Sequence, residues 1–214
     1  EKIHSLESMA AWRQFFGQII YTSKTDPIMN TTKPYGNDAE IKLITMDNFP
    51  KTQGLQAFVG GRFKVGIWQP KVNVGIMKQW LTIDYSNGRK KLDNPIALVQ
   101  FQNAIHLPYD IWLNVDMQWI SDGNDDNTYQ KSSSYLNAKL YKAFFSNRFS
   151  ITLEANDIFN KSNRDATLLN KDVTIYKFNT TNNRTFMLTL QYTFNSTRDR
   201  YRGPGAGHNE MNRF

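Results

Sequence analysis

Strict alternation is the feature that most constrains this chain. Leu113, Val115, Met117 and Trp119 alternate with Asn114, Asp116 and Gln118. Phe149, Ile151, Leu153 and Ala155 alternate with Ser150, Thr152, Glu154 and Asn156. Phe186, Leu188, Leu190, Tyr192 and Phe194 alternate with Met187, Thr189, Gln191 and Thr193, and Ala97, Val99, Phe101 and Ile105 oppose Gln100, Gln102 and His106. A period of two belongs to an extended strand whose side chains point to opposite faces, and an apolar set facing a polar set describes a sheet wet on one side. Helical periodicity is almost absent.

The punctuation between the strands comes in two sizes. Short connections are expected at Trp68-Gln69-Pro70, Leu107-Pro108-Tyr109-Asp110 and Ser146-Asn147; long polar ones fall at 25–37, 84–94 and 121–130, rich in Pro, Gly, Asn and Asp. This spacing predicts about eight long strands, near 9–27, 40–67, 70–84, 94–107, 110–121, 129–144, 147–168 and 173–194. An even count puts both chain ends on the same side of the sheet. A two-residue turn at Ser146-Asn147 predicts a register: Leu140 faces Leu153 and Ala138 faces Ala155 on the apolar side, and Lys139 faces Glu154 on the polar side. A slip by one residue destroys that match.

Short and long connections in alternation, with strands that average out as polar, are the habit of a membrane-spanning β-barrel. The mean hydropathy of −0.58 is no objection, since a barrel needs none of the roughly 18–20 consecutive apolar residues of a membrane helix. Aromatics make up 14% of the 214 residues. They gather beside the short turns, at Trp68, Tyr109, Trp112, Phe144, Phe145, Tyr192 and Phe194, and near the opposite strand ends, at Tyr21, Trp80, Tyr85, Trp119 and Tyr129. Two belts fit two membrane interfaces; Trp68, Tyr109, Trp112, Trp119, Tyr192 and Phe194 are the candidate interface aromatics. On the other face Asn114, Asp116, Gln118, Asn137, Lys139, Glu154 and Asn156 are expected to line a lumen, as contacts for ligand or plug.

Catalytic signals are lacking. With no cysteine there is no disulfide framework, thiolate metal site or cysteine nucleophile. His4, His106 and His208 have no ligand spacing, the acids Asp122, Asp125 and Asp126 do not follow a calcium-loop pattern, and no carboxylate pair suggests acid–base work. Gly203-Pro204-Gly205-Ala206-Gly207 lacks the Lys-Ser/Thr step of a phosphate loop. The net charge of +7 is scattered, and the arginines of 198–202 stand without the basic–aromatic interleaving of a nucleic-acid binder. The chain is read as a non-enzyme with no cofactor, no metal and no nucleic-acid partner.

The C-terminal part carries a more specific pattern. Phe149 to Asn160, ending Asn156-Asp157-Ile158-Phe159-Asn160, resembles a strand shared by TonB-dependent receptors, and Arg184 to Phe194 resembles their aromatic-ended closing strand. The tail, with Tyr201-Arg202-Gly203-Pro204-Gly205-Ala206-Gly207 and Glu210 to Phe214, is similar to the ending of the Bacteroidetes-type outer-membrane β-barrel family, with Phe214 for a usual Leu and Arg202 for a Lys. The resemblance implies an all-β, antiparallel, up-and-down transmembrane β-barrel, here about eight strands of a 22-strand-type barrel. Residues 1–197 form the barrel segment and 198–214 a polar C-terminal tail. It implies bacterial outer-membrane localisation and TonB-dependent uptake. The implied partners are the lipid bilayer, a plug and N-terminal barrel strands lying outside these residues, TonB and a surface lipoprotein. The residues themselves leave two other readings open: a small self-closed outer-membrane barrel acting as an anchor or structural protein, and a soluble all-β binding module.

Overall fold

The computed structural model describes residues 1–36, 38–85, 88–170 and 173–194; the tail 198–214 lies outside the described residues. Strands follow one another as β1 (Lys2–Trp12), β2 (Phe15–Thr25), β3 (Ile28–Tyr35), β4 (Asp38–Asn48), β5 (Thr52–Arg62), β6 (Trp68–Tyr85), β7 (Gly88–Leu92) and β8 (Ile96–Leu107). They continue as β9 (Ile111–Ile120), β10 (Gly123–Asp125), β11 (Thr128–Gln130), β12 (Ser133–Phe144), β13 (Phe149–Asn156), β14 (Ala166–Leu169), β15 (Thr174–Lys177) and β16 (Thr185–Tyr192). The only helical element among the described residues is a single 3-10 turn, Pro108–Asp110.

The main sheet is an all-antiparallel meander in the order β1-β2-β5-β6-β8-β9-β12-β13-β16, with β7 paired to the far end of β6. Connections alternate as expected. At one end β1/β2, β5/β6, β8/β9 and β12/β13 are joined by short turns. At the other, each crossing carries an excursion: the β3–β4 hairpin, β7, the β10–β11 hairpin and the β14–β15 hairpin. The sheet is not closed: β1 and β16 each pair on one side, and both are exposed along their whole length.

Nine strands span the sheet where the sequence reading counts about eight. The segment expected as one strand at 9–27 is a hairpin that turns at Arg13-Gln14, with Arg13 at φ 53. No Gly, Pro, Asn or Asp marks this turn, so composition hides it. With an odd number of strands, Lys2 lies at the long-loop end and Tyr192 at the short-turn end, which corrects the expectation that both ends share a side. The turn expected at Trp68-Gln69-Pro70 sits earlier, at 63–67, closed by mutual backbone hydrogen bonds between Val65 and Trp68 (2.8 and 3.0 Å). Trp68, Gln69 and Pro70 already belong to β6. The expected 40–67 strand likewise divides into β4 and β5.

The expected register is present residue for residue: Leu140 opposes Leu153, Ala138 opposes Ala155 and Lys139 opposes Glu154. The turn that sets it has Phe145, Ser146 and Asn147 at φ 54, 54 and 67 and is closed by the Arg148 amide donating to the Phe145 carbonyl (3.2 Å), with Ser146 and Asn147 at its centre. From there one parity propagates across the sheet. Trp68, Ile105, Leu113, Leu140, Leu153 and Leu188 lie in one row over β6, β8, β9, β12, β13 and β16. The other parity is polar. Asn114, Lys139 and Glu154 form one of its rows, and Gln102, Asp116 and Asn137 another.

Apart from Ile96 at the start of β8, the buried apolar side chains among the described residues sit beyond this wall. Leu81 and Ile83, on the extension of β6, pack with Leu92 of β7, Met29 of β3 and Leu169 of β14; Phe49, Tyr85 and Tyr129 cover them. The long excursions thus form a cap with a core of its own, as burial of apolar surface in water requires.

Candidate functional site

The candidate site is the polar face of the wall together with the cap at its long-loop end. Strand parity alone places all seven expected lumen residues on this face. Lys139 Nζ lies 2.6 Å from Glu154 Oε1. One row nearer the loops, Asn137 Oδ1 accepts from the Asp157 amide (2.8 Å) and Asn156 Nδ2 donates to Thr185 Oγ1 (3.2 Å). An amide relay follows: Asn73 Nδ2 donates to Gln100 Oε1 (3.3 Å), and Gln100 Nε2 donates to Gln118 Oε1 (2.7 Å). Neither Asn73 nor Gln100 was singled out by sequence, although Gln100 stands in the same alternation. Much of this face satisfies itself, and Asn137 serves as a tie between strand and loop.

Among the expected interface aromatics, Trp68, Trp119 and Tyr192 share the apolar parity. Trp68 and Tyr192 lie at the short-turn end and Trp119 at the loop end. Phe194 follows β16 and meets Tyr192 edge-on at 4.6 Å. Tyr109 stands exposed in the 3-10 turn at φ 65. Trp112 departs from the set: it shares the polar parity of Asn114 and stacks on His106 at 4.5 Å, and His106 Nε2 lies 3.2 Å from Asp110. Nearness to a turn suggested an interface, but parity decides the face. Trp12 and Phe15, opposed across the unmarked first turn, extend the short-turn aromatics on the apolar side. Asn103 is a buried polar residue on the apolar parity. It accepts from Trp68 Nε1 (2.8 Å) and donates to the Val115 carbonyl (3.2 Å), so neither end of its amide is left unpaired.

The cap is tied by polar side chains. Gln79 Nε2 donates to the carbonyls of Asp126 (2.7 Å) and Leu92 (2.9 Å), while its Oε1 accepts from the Asp126 amide (2.8 Å). Asn127, almost wholly buried, donates to the Asn30 carbonyl (2.7 Å), and the Leu169 amide donates to the Asn127 carbonyl (2.9 Å). Arg164 donates to the carbonyls of Lys131 (2.7 Å) and Ser121 (3.0 Å), on either side of the β10–β11 hairpin.

The three loop acids separate. Asp122 accepts from the Tyr129 hydroxyl, which holds its carboxyl below the usual range and pushes the phenol up. Asp126 lies 3.9 Å from Lys24, and burial raises its pKa. Asp125 is 3.4 Å from Gln130 Nε2.

Asp157, at the end of β13, accepts from the amides of Lys161 (3.0 Å) and Ser162 (3.1 Å). Burial pushes this carboxyl up, but the Ser162 hydroxyl, these two amides and the Arg184 charge outweigh burial and hold it below the ordinary value. A polar cleft of about 380 Å³ opens in the cap between Tyr85, Lys90, Asn94, Asn124, Tyr129 and Tyr176.

Residues 1–192 match the outer membrane protein beta-barrel family. The chain belongs to this family. Membership makes the open antiparallel sheet a wall of a bacterial outer-membrane barrel, places the protein in the outer membrane and brings it against the lipid bilayer. A curated relative, a catalase-peroxidase of Clostridium botulinum (strain Eklund 17B / Type B), is 33% identical over 73 residues, which is 32% of this chain and 10% of that protein. The chain thus spans about a tenth of that relative's length. No solved structure is significantly similar.

Proposed function

We propose that this outer-membrane barrel protein serves in TonB-dependent uptake, as a wall that guides a ligand rather than as a catalyst. One observation carries the reading: a two-faced wall whose second parity, richest in polar side chains over β9, β12 and β13, can be followed through the register back to β2 and ends beneath a structured cap. The apolar rows face acyl chains and the polar rows face a water-filled lumen. Asn114, Asp116, Gln118, Lys139 and Glu154 offer contacts to ligand or plug, and the cap meets ligand first. Further strands of the same barrel pair with the free edges of β1 and β16, and a plug seats against the polar rows. Trp68, Trp119, Tyr192 and Phe194 lie at the membrane interfaces. The resemblance in the 149–160 and 184–194 segments supports the TonB-dependent and Bacteroidetes-type assignment, with a surface lipoprotein as an outer partner.

The test is capture of the periplasmic domain of TonB by the full-length protein in detergent. Saturable binding supports the reading. Absence of binding, in a protein that still migrates as a folded barrel, overturns it in favour of a structural or anchoring barrel.

A further inference from the structure

The β10–β11 hairpin leaves the sheet between β9 and β12, yet its contacts lie several strands away. Its turn reaches back past β8 to Gln79 on β6, and the Asp126 carboxylate approaches Lys24 on β2. Gln79 and Lys24 both lie on the polar parity. Gln79 shares its face of β6 with Met77, Gly75 and Asn73, and Lys24 opposes Thr52. Leu81 and Ile83, the next residues of that parity on β6, carry the buried core of the cap. The hairpin therefore lies over the polar face.

The attachment is specific. The Gln79 amide engages the Asp126 peptide in both directions, as one antiparallel strand residue engages another. At Gly123 a Cβ would stand 2.5 Å from the Pro95 carbonyl oxygen, so the hairpin base sits directly on the entry to β8. Within the hairpin only three residue pairs form a ladder, against ten between β9 and β12. β11 also pairs with β14 over three residues, while at β6 the hairpin is held through the Gln79 side chain.

We propose that residues 123–130 form a strap that closes the loop end of the polar face, latched by Gln79, and that it must unlatch before a solute moves along that face. This rests on the reading of the polar face as lumen. It predicts a closed resting state and a defined place where the cap opens.

The test uses the full-length chain in intact cells with a charged, membrane-impermeant maleimide. Cysteine replaces Met77, on the polar parity just below Gln79, or Ile76, its neighbour on the apolar parity. Met77→Cys is expected to react slowly in the parent, and about tenfold or more faster when Gln79→Ala removes three hydrogen bonds worth roughly 0.5–1.5 kcal/mol each. Gln79→Glu keeps the acceptor for the Asp126 amide but loses both donors, and should fall between the two. Resistance of unboiled protein to SDS confirms that each variant is folded. An unchanged Met77→Cys rate in both Gln79 variants overturns the strap and leaves the lumen reading standing. A reagent that reaches Ile76→Cys in preference to Met77→Cys overturns the lumen reading, and the strap with it.

Discussion

A glycine inside a strand lacks a side chain to pack and is commonly found where something else comes close. At Gly75 a Cβ would lie 2.3 Å from the Phe58 ring, and at Gly60 it would meet the Phe16 ring at 2.5 Å and the Val72 carbonyl at 2.7 Å. Two aromatic rings thus come close to two glycines on the polar face. Gly60→Ala meets unyielding backbone and should cost about 1–3 kcal/mol; Gly75→Ala meets a ring that can rotate and should cost less. Urea titration of the protein refolded in vesicles measures both. Asp157 sets a second test at this scale. Its carboxyl sits below the ordinary value in the fold, so its contribution is complete above the unfolded pKa of about 4 and is lost as pH falls through the folded value. Protection of the Lys161 and Ser162 amides against hydrogen exchange should fall on acidification below that pH. Asp157→Ala should lose it at neutral pH as well, at a cost of about 1–3 kcal/mol.

Among the elements, β12 and β13 show how far the sequence can be read. Period-two patterning and one tight turn were enough to set Leu140 against Leu153, because a register shift of one would place Lys139 and Glu154 among leucines. On the proposal that the apolar parity faces lipid, Leu153→Arg should cost about 2–4 kcal/mol near the bilayer midplane, while Thr152→Arg on the other parity should be nearly silent. Refolding titrations into vesicles distinguish the two, and a reversed result inverts the sheet. Ser146 adopts φ 54 without being glycine, a strain of about 1–2 kcal/mol for an L residue. Ser146→Gly should relieve part of it and raise the denaturant midpoint. Elements that escaped sequence reading share a physical cause. β10, β11, β14 and β15 run only three or four residues each, too short for a period to show, and their position is set by Gln79, Asn127 and Arg164 acting across long sequence separations. The β1/β2 turn was missed because Trp12-Arg13-Gln14-Phe15 holds no residue that favours a turn. Trp112 was grouped by its distance from Pro108 rather than by its parity.

At the scale of the whole molecule, the distribution of burial is the reverse of a soluble domain's. The wall leaves its leucines and valines accessible, and the enclosed apolar core belongs to the loops. This is consistent with hydrocarbon on one face of the wall and water at the cap. The meander order carries a kinetic consequence. Every ladder of the main sheet joins strands that follow one another along the chain, apart from the excursions between them. Such a topology has low contact order for an all-β protein and can assemble hairpin by hairpin. Its slow joints are then where the greatest length of chain must be looped out before the next strand pairs, at residues 26–51 between β2 and β5 and 157–184 between β13 and β16. The two longest excursions, which bring Met29, Phe49 and Leu169 to the cap, are the two that delay completion of the wall.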